Sequence, residues 1–321
     1  MQINKNKEKM KEKTKVIVTM PPYAPFIDEV LKHERVEGIR LNTVMPIKET
    51  EEELLKRLYG KAEKYNKDLW IDLKCRQLRV KTFGVPPFTE IELSHNIELK
   101  TPCKAYFGER KYASTILEVD KNRLIMQEGP RRVVGPGESV TIPDKSLKIE
   151  GYLTDSDKRY IEAANKADVK NFMLSFVEKE EDIEDFRKYN TKKNINILAK
   201  IESQKGLAFL APNKDIKYGL MAARGDLYME LDWPHEIIDA LELIISKDKN
   251  SVVASRIFDS LEDSLEPSSE DISDCDNLLR MGYRRLMFGD EVCLERRSIM
   301  SALNLLDAVA KKYDLGGKNG I

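Results

Sequence analysis

The stretch INILAKIESQKGLAFLAPNKDIKYGLMAARGD, residues 195–226, decides the fold that we expect for this chain. It contains two apolar runs, INILAKIE (Ile195–Glu202) and YGLMAARGD (Tyr218–Asp226), separated by a segment long enough for a helix. Two such runs with a helical connection predict a strand–helix–strand unit with parallel strands. Each run ends in a carboxylate, so the unit also predicts a polar edge to the sheet.

The same alternation continues along the chain from residue 15 onward and gives eight strand-like runs in all. The other six runs are VIVTM (Val16–Met20), GIRLN (Gly38–Asn42), LWIDLK (Leu69–Lys74), FMLSFV (Phe172–Val177), SVVASRI (Ser251–Ile257) and RRLMFG (Arg284–Gly289). Eight is the number of parallel strands that closes a (β/α)8 barrel. The predicted fold class is therefore α/β, a (β/α)8 TIM barrel.

One interval, residues 80–148, breaks the alternation. It has period-two stretches such as TEIEL and ASTILEV, and turn signals at Pro86-Pro87 and Gly135-Pro136-Gly137. These patterns predict a small all-β lid domain inserted after barrel strand 3, over the mouth where barrel enzymes bind substrates. The predicted domains are a basic tail at 1–14, a barrel at 15–79 and 149–321, and a lid at 80–148.

The composition limits the functional classes. The 321 residues include 34% charged residues and a formal net charge of −1, so we expect neither a nucleic-acid nor a membrane partner. No apolar stretch approaches the roughly 20 residues of a membrane helix. Four scattered cysteines without a CxxC pair, and a Lys-rich start without an apolar segment, favour a cytoplasmic protein over a secreted one.

Candidate chemistry lies at the carboxyl ends of strands 5 and 6. Lys200 and Glu202 are two residues apart, so both side chains leave the same side of their strand. Asp226 ends the neighbouring strand, so Glu202 and Asp226 are predicted to share a Mg²⁺ or Mn²⁺ ion. The alternative is a lysine–carboxylate cluster that only satisfies the barrel interior.

Other polar residues stand at the ends of other predicted strands and are expected to face the same mouth: Arg40, Asn42, Asp72, Lys74, Ser175, Ser255 and Arg256. Several of them are cationic donors. A mouth of this kind is suited to a small anion, a phosphate or a carboxylate.

Several motifs occur in the order of one known family. They are RLN (Arg40–Asn42) beside RLNFSHG, IDLKCRQLR (Ile71–Arg79) beside LDTKGPEIR, AKIES (Ala199–Ser203) beside AKIEN, MAARGDL (Met221–Leu227) beside MVARGDLG, and VVASRIFDSL (Val252–Leu261) beside ATQMLDSM. On these motifs the chain resembles the pyruvate kinase family. The resemblance implies a barrel enzyme that acts on phosphoenolpyruvate or pyruvate, or a related oxoacid, with a divalent metal.

The resemblance also implies roles for single residues. Lys200 would face the transferring phosphoryl group and the enolate oxygen, and Glu202 and Asp226 would hold the metal. The backbone N–H groups of Gly225 and Asp226 would bind the substrate carboxylate. Ser255 would position the enol carbon and its protonating water. The remaining matches, all at phosphate-proximal positions, are Ser175, Arg40 and Arg79.

The monovalent-cation site of the family is only partly matched. Asn42 and Asp72 remain from a set of four oxygen ligands, whereas Val44 and Leu73 supply none. Gln77 stands where the family has either Glu or Lys, with potassium dependence or independence respectively. The K⁺ requirement is therefore open at this point.

The nucleotide side departs further from the family. Pro21 replaces a glycine, Met45-Pro46 replace His-Gly, and Tyr228 stands where ARGDLG ends in glycine. Glu138 falls near the lid lysine that would meet nucleotide phosphates, and a carboxylate there would repel ADP. Binding of ADP or ATP is therefore open as well.

The family's carboxy-terminal domain has no counterpart in this chain, so we expect no regulation by sugar bisphosphates, although a homodimer through barrel helices is compatible with the pattern. Three functions remain open: a phosphoenolpyruvate-dependent phosphotransferase; a metal–enolate enzyme without nucleotide, such as a phosphatase, an oxaloacetate decarboxylase or an aldolase-like lyase; and a non-catalytic metabolite-binding protein.

Overall fold

The computed structural model describes residues 13–108 and 113–314, so residues 1–12 of the predicted basic tail lie outside the described residues. The first barrel strands are β1 (Lys15–Thr19), β2 (Val36–Asn42) and β3 (Asp68–Leu73), connected by helices α1 (Ile27–Lys32) and α2 (Glu51–Lys64). All three strands are almost completely buried, as expected for a parallel sheet covered by helices.

A separate antiparallel domain follows β3. Its strands are β4 (Glu90–Glu92), β5 (Ile97–Glu98), β6 (Cys103–Phe107), β7 (Ala113–Asp120), β8 (Arg123–Met126), β9 (Val140–Thr141) and β10 (Lys148–Ile149). Five of them form one sheet in the order β4-β8-β7-β6-β9, and β10 pairs with β5. This lid has its own apolar core, which includes Leu93, Ile116 and Leu124.

The chain then returns to the barrel. The remaining strands are β11 (Asn171–Leu174), β12 (Asn196–Ile201), β13 (Gly219–Ala223), β14 (Val252–Ala254) and β15 (Arg285–Phe288). The remaining helices are α3 (Asp155–Ala167), α4 (Glu180–Tyr189), α5 (Gln204–Leu210), α6 (Arg224–Glu230), α7 (Ile237–Lys247), α8 (Ser269–Met281) and α9 (Arg296–Asp314). The eight parallel strands close in the order β1-β15-β14-β13-β12-β11-β3-β2, which confirms the predicted barrel.

Two apolar layers hold the barrel together. The outer layer packs the strands against the helices, and the inner layer fills the barrel itself with residues such as Ile17, Met173, Met221, Val252 and Met287. The interior is therefore a packed core, and polar chemistry is confined to its ends. Among the described residues, no helix is long and apolar enough to cross a lipid bilayer.

Three strands end three residues earlier in the structure than in the sequence pattern: β11, β13 and β14. The run YGLMAARGD stops being a strand at Ala223, because the partner strand β14 ends at Ala254 and the chain turns into α6. After β14 and β11, Ser255 and Phe176 adopt φ values of 68° and 50°, which no strand accommodates. Asp226, predicted as a strand end, instead lies in the first turn of α6.

The predicted N-cap at Thr154 is present and has a second role. Thr154 and Asp157 form a capping box at the start of α3, and Thr50 and Glu53 form another at the start of α2. The buried Asp157 carboxylate also accepts hydrogen bonds from the backbone N–H groups of Lys74 and Cys75, at 2.9 and 3.0 Å. It thereby fixes the chain directly after β3.

We expect Asp157→Ala to lower the free energy of unfolding by about 3 kcal/mol, because two buried N–H groups lose their acceptor along with the cap. The matched change Glu53→Ala, in the more exposed capping box, should cost about 1 kcal/mol or less. Urea denaturation followed by circular dichroism measures both values. Equal losses in the two variants would contradict this account of Asp157.

Candidate active site at the barrel mouth

A cavity of about 980 Å³ lies at the carboxyl ends of the barrel strands. Most of the predicted site residues line it together: Arg40, Asn42, Arg79, Lys200, Glu202, Gly225, Asp226 and Ser255. Asp72 and Ser175 are not part of this lining; both are fully buried beneath it.

The Asp72 carboxylate, at the end of β3, is surrounded by three cationic side chains. Lys200 Nζ lies 3.0 Å from Oδ1, and Lys74 Nζ lies 2.7 Å from Oδ2. Arg40 donates from Nε to Oδ2 at 2.9 Å and from Nη2 to the same oxygen. One buried anion thus compensates several buried cations, which would be unstable there without it.

The charges of this cluster shift one another's pKa values. Burial by itself would raise the pKa of Asp72, but Arg40, Lys200 and Lys74 hold it well below its usual value. Burial lowers the pKa of Lys74 to about 8, against the opposing effect of Asp72. Burial also acts to lower the pKa of Lys200, yet Asp72 and Glu202 raise it above its usual value. Lys200 is therefore a permanently charged ammonium at neutral pH.

Lys200 is fixed in position by more than Asp72. Its Nζ donates to Ser175 Oγ at 2.8 Å and lies 3.1 Å from Glu202 Oε1. Ser175 Oγ in turn donates to the backbone carbonyl of Leu73 at 2.8 Å. Ser175, predicted as a substrate contact, is thus placed as a support for Lys200.

The two carboxylates predicted to bind metal line the same cavity. Glu202 Oε2 accepts a hydrogen bond from the Phe176 N–H at 2.8 Å, whereas Oε1 is buried and has no hydrogen-bond partner. Burial raises the pKa of Glu202, Lys200 opposes the shift and Asp226 adds to it. Asp226 Oδ1 accepts from Gln77 Nε2 at 3.1 Å.

This donor set fits a hard divalent cation. Two carboxylates leave room for water and substrate oxygens, which is the usual coordination of Mg²⁺ in proteins. In the part of the chain that the structure describes, no three His, Cys, Asp or Glu side chains cluster as a complete metal site. A cation held here would therefore depend on oxygens from outside the protein as well.

The monovalent-cation remnant does not fit a potassium ion. The Asp72 carboxylate already forms ion pairs with three cations. Asn42 Nδ2 donates to both oxygens of Asp290 at 3.0 Å. Asn42 Oδ1 accepts from the Val44 N–H at 3.3 Å, and the Leu73 side chain packs in the outer apolar core. The fixed cations already balance the negative charge of Asp72, which a bound K⁺ would otherwise balance.

The opposite rim of the cavity contains a contact that the sequence did not reveal. The Arg256 guanidinium lies over the Tyr228 ring, 4.6 Å from its centroid. Ser255 and Arg256 both have positive φ, 68° and 53°, which turns this loop after β14 toward the mouth. Tyr228, predicted to narrow this side, lines the cavity.

Arg79 connects the barrel mouth to the lid. Its guanidinium donates to the carbonyl of Gly137 in the lid and to Gln77 Oε1 at the barrel, while its Nε is buried without a partner. Glu138, predicted to face nucleotide phosphates, pairs with Arg132 instead, and Ser139 lines the cavity.

Two residues with buried contacts near the carboxyl ends of the strands were missed in the sequence. Asp290 follows β15 and joins Arg40 and Asn42, and its place directly after a strand end was a signal that could have identified it. Arg76 follows β3 and contacts Phe176, Glu178 and Asp182, and nothing in the sequence pattern distinguishes it from a surface charge.

Comparison with known proteins agrees with this geometry. A family model described as the barrel domain of pyruvate kinase matches residues 104–294, more than half of the chain. The pyruvate kinase of Thermotoga maritima is 32% identical over 182 residues, covering 54% of this chain and 38% of that protein. That of Methanocaldococcus jannaschii is 26% identical over 328 aligned positions, covering 95% and 70%. That of Borreliella burgdorferi is 25% identical over 223 residues, covering 68% and 46%.

We expect Asp72→Asn to lower the free energy of unfolding by about 3 kcal/mol or more, because buried cations lose their counter-charge. The control Asp28→Asn changes a carboxylate that pairs with Lys61 and Lys64 at the surface, and it should cost less than about 1 kcal/mol. Urea denaturation of both variants tests the difference. An Asp72→Asn variant as stable as the control would show that the cations do not depend on this anion.

Proposed function

The chain belongs to the pyruvate kinase family, and from this membership we propose that its barrel mouth binds phosphoenolpyruvate or pyruvate with Mg²⁺ or Mn²⁺ and catalyses phosphoryl transfer. The observation that carries the proposal is that Lys200, Glu202 and Asp226 line one cavity. The chain spans 38% to 70% of the length of the three relatives named above, so their activity is extended to it here as a proposal.

The metal would be held by the carboxylates of Glu202 and Asp226, which line the same cavity. When bound, such a cation supplies a Lewis acid that neutralises charge on the phosphate and the pyruvyl oxygens. Asp226 is steadied by Gln77, and Glu202 by the Phe176 N–H. Both carboxylates are therefore presented in fixed orientations before any ligand arrives.

Lys200 would stabilise the negative charge that develops on the enolate oxygen and the transferring phosphoryl group. Such stabilisation is largest when the cation is already in place and shielded from water. Lys200 is about 5% exposed and is held by Asp72 and Ser175. Its geometry therefore needs little rearrangement during the reaction.

The remaining predicted residues take positions that suit binding of the acid. Gly225 and Asp226 lie in the first turn of α6, where backbone N–H groups lack partners within the helix and favour a carboxylate. Ser255 presents its hydroxyl near Gly225, since a Cβ on that glycine would lie 3.6 Å from Ser255 Oγ. Arg40 and Arg79 line the cavity as cationic donors toward the phosphate.

The acceptor side of the cavity favours a second candidate, a metal–enolate enzyme that uses no nucleotide. Four carboxylates besides the proposed metal ligands line the mouth: Asp259, Glu262, Asp290 and Glu291. A polyphosphate would be repelled there, whereas proton transfer to an enolate needs no second anion. Release of pyruvate without ADP distinguishes this candidate from a kinase.

The decisive experiment combines ligand binding with turnover. We expect Mn²⁺ with oxalate, a mimic of the pyruvate enolate, to raise the melting temperature. Lys200→Met should reduce phosphoenolpyruvate turnover by about a thousandfold or more, because the cation facing the developing charge is lost. The exposed Lys188→Met serves as the control and should retain full turnover.

A coupled pyruvate assay with and without ADP then assigns the acceptor. Turnover only with ADP supports the kinase, and turnover without it supports the second candidate. If wild-type protein showed neither stabilisation by Mn²⁺ and oxalate nor any turnover, both enzymatic proposals would be wrong.

We further expect the protein to work without K⁺, because the side chains around Asp72 already supply the positive charge. Replacing K⁺ with tetramethylammonium should change neither Mn²⁺–oxalate binding nor turnover by more than about twofold, a difference of less than 1 kcal/mol. Electron paramagnetic resonance of Mn²⁺ and the pyruvate assay provide the two readouts. A tenfold or larger gain on adding K⁺ would contradict this expectation.

A further inference from the structure

Arg76 follows β3 and stands where the motif LDTKGPEIR has a proline. Although charged, its side chain is only 9% exposed. Its guanidinium pairs with the fully buried Asp182 through two N–H groups, one of them at 2.8 Å, and lies 5.0 Å from the centroid of the Tyr152 ring. Arg76 is thus a fixed part of the structure at the edge of the barrel mouth.

One contact of Arg76 reaches the loop after β11. Nη1 donates to the backbone carbonyl of Phe176 at 3.2 Å. Phe176 is not a glycine, yet its φ is 50°, a left-handed conformation that costs about 1 kcal/mol or more for an ordinary residue. Such a conformation persists only where the surrounding contacts hold it.

That conformation has a direct effect on Glu202. It directs the Phe176 N–H at Glu202 Oε2, 2.8 Å away, while the buried Oε1 lies 3.1 Å from Lys200 Nζ. The carbonyl of the same residue is the group that Arg76 holds. The Arg76 guanidinium, which binds the carbonyl, and the Glu202 carboxylate, which binds the N–H, therefore fix Phe176 between them.

A second connection runs through Glu178. Its Oε2 lies 3.3 Å from Arg76 Nη1, and its Oε1 accepts a hydrogen bond from Ser203 Oγ at 2.6 Å. Ser203 directly follows Glu202 in the chain. Arg76 is thus connected to Glu202 in two ways. One connection is through Phe176, whose N–H donates to Glu202, and the other is through Glu178 and Ser203.

We propose that Arg76 is a positioning residue for divalent-metal binding: by holding the Phe176 carbonyl and Glu178, it orients the carboxylate of Glu202, which lines the cavity. This inference rests on the proposed function, in which Glu202 is a metal ligand. Lysine cannot replace Arg76, because one ammonium cannot span the Phe176, Glu178 and Asp182 oxygens as the planar guanidinium does.

The test compares Arg76→Lys with a matched control, Arg35→Lys. Arg35 is equally buried, at 8% exposure, and pairs with the two carboxylates of Asp307 and Asp314, but it lies beside the amino ends of β1 and β2. Both variants keep their charge and should lose similar stability in urea. Electron paramagnetic resonance should give a Mn²⁺ dissociation constant about tenfold larger for Arg76→Lys only, as for other residues that orient metal ligands.

A second variant removes both charges of the Arg76–Asp182 ion pair. Arg76→Met combined with Asp182→Asn should fold, because both charges of the pair are lost together, and should also bind Mn²⁺ about tenfold more weakly. If wild-type protein binds Mn²⁺ and both Arg76 variants bind it as tightly as Arg35→Lys, the inference is overturned while the proposed function stands. If wild-type protein binds no Mn²⁺, both are overturned.

Discussion

The ion cluster around Asp72 is the interaction on which the rest of the mouth depends. Lys200 comes from β12, Lys74 directly follows β3 and Arg40 lies on β2, and all three are at least nine-tenths buried. Three cations at this depth would repel one another and lose their hydration. The Asp72 carboxylate between them makes the arrangement possible, together with Glu202 beside Lys200 and Asp290 beside Arg40. The barrel contributes by bringing the ends of these strands together, because its closure places β2, β3 and β11 side by side with β12 beyond.

The architecture was predictable because it follows from hydrophobic periodicity alone. Eight buried runs with helical connections give a closed barrel whatever the details of the mouth. The ends of the strands were less predictable. The hydrophobic pattern does not distinguish Phe176, Ser255 or Arg256 from strand residues. Each nevertheless has a positive φ, because the backbone there turns toward the barrel mouth and no longer continues the sheet. Such backbone conformations are imposed by tertiary contacts, and the residue types at these positions do not reveal them.

The candidate site, too, could be predicted from the sequence only in part. The two-residue spacing of Lys200 and Glu202 predicted a shared direction, and both side chains line the cavity. The surroundings of Asp72 could not be predicted, because two of its three cationic partners, Arg40 and Lys200, lie 32 and 128 positions away in the chain. Arg76 resembled an ordinary charged residue after a strand, and only its buried contacts with Phe176 and Asp182 distinguish it.

The charge balance of the cavity has a consequence for binding. Among the residues that the structure describes, the lining contains six carboxylates and five cationic side chains, so the formal charge of the side chains at the mouth is close to zero. A phosphorylated acid gains little long-range attraction from such a surface. Once two positive charges are added between Glu202 and Asp226, the sign reverses. On the proposed function, a dication at Glu202 and Asp226 therefore strengthens the attraction of the mouth for the anion.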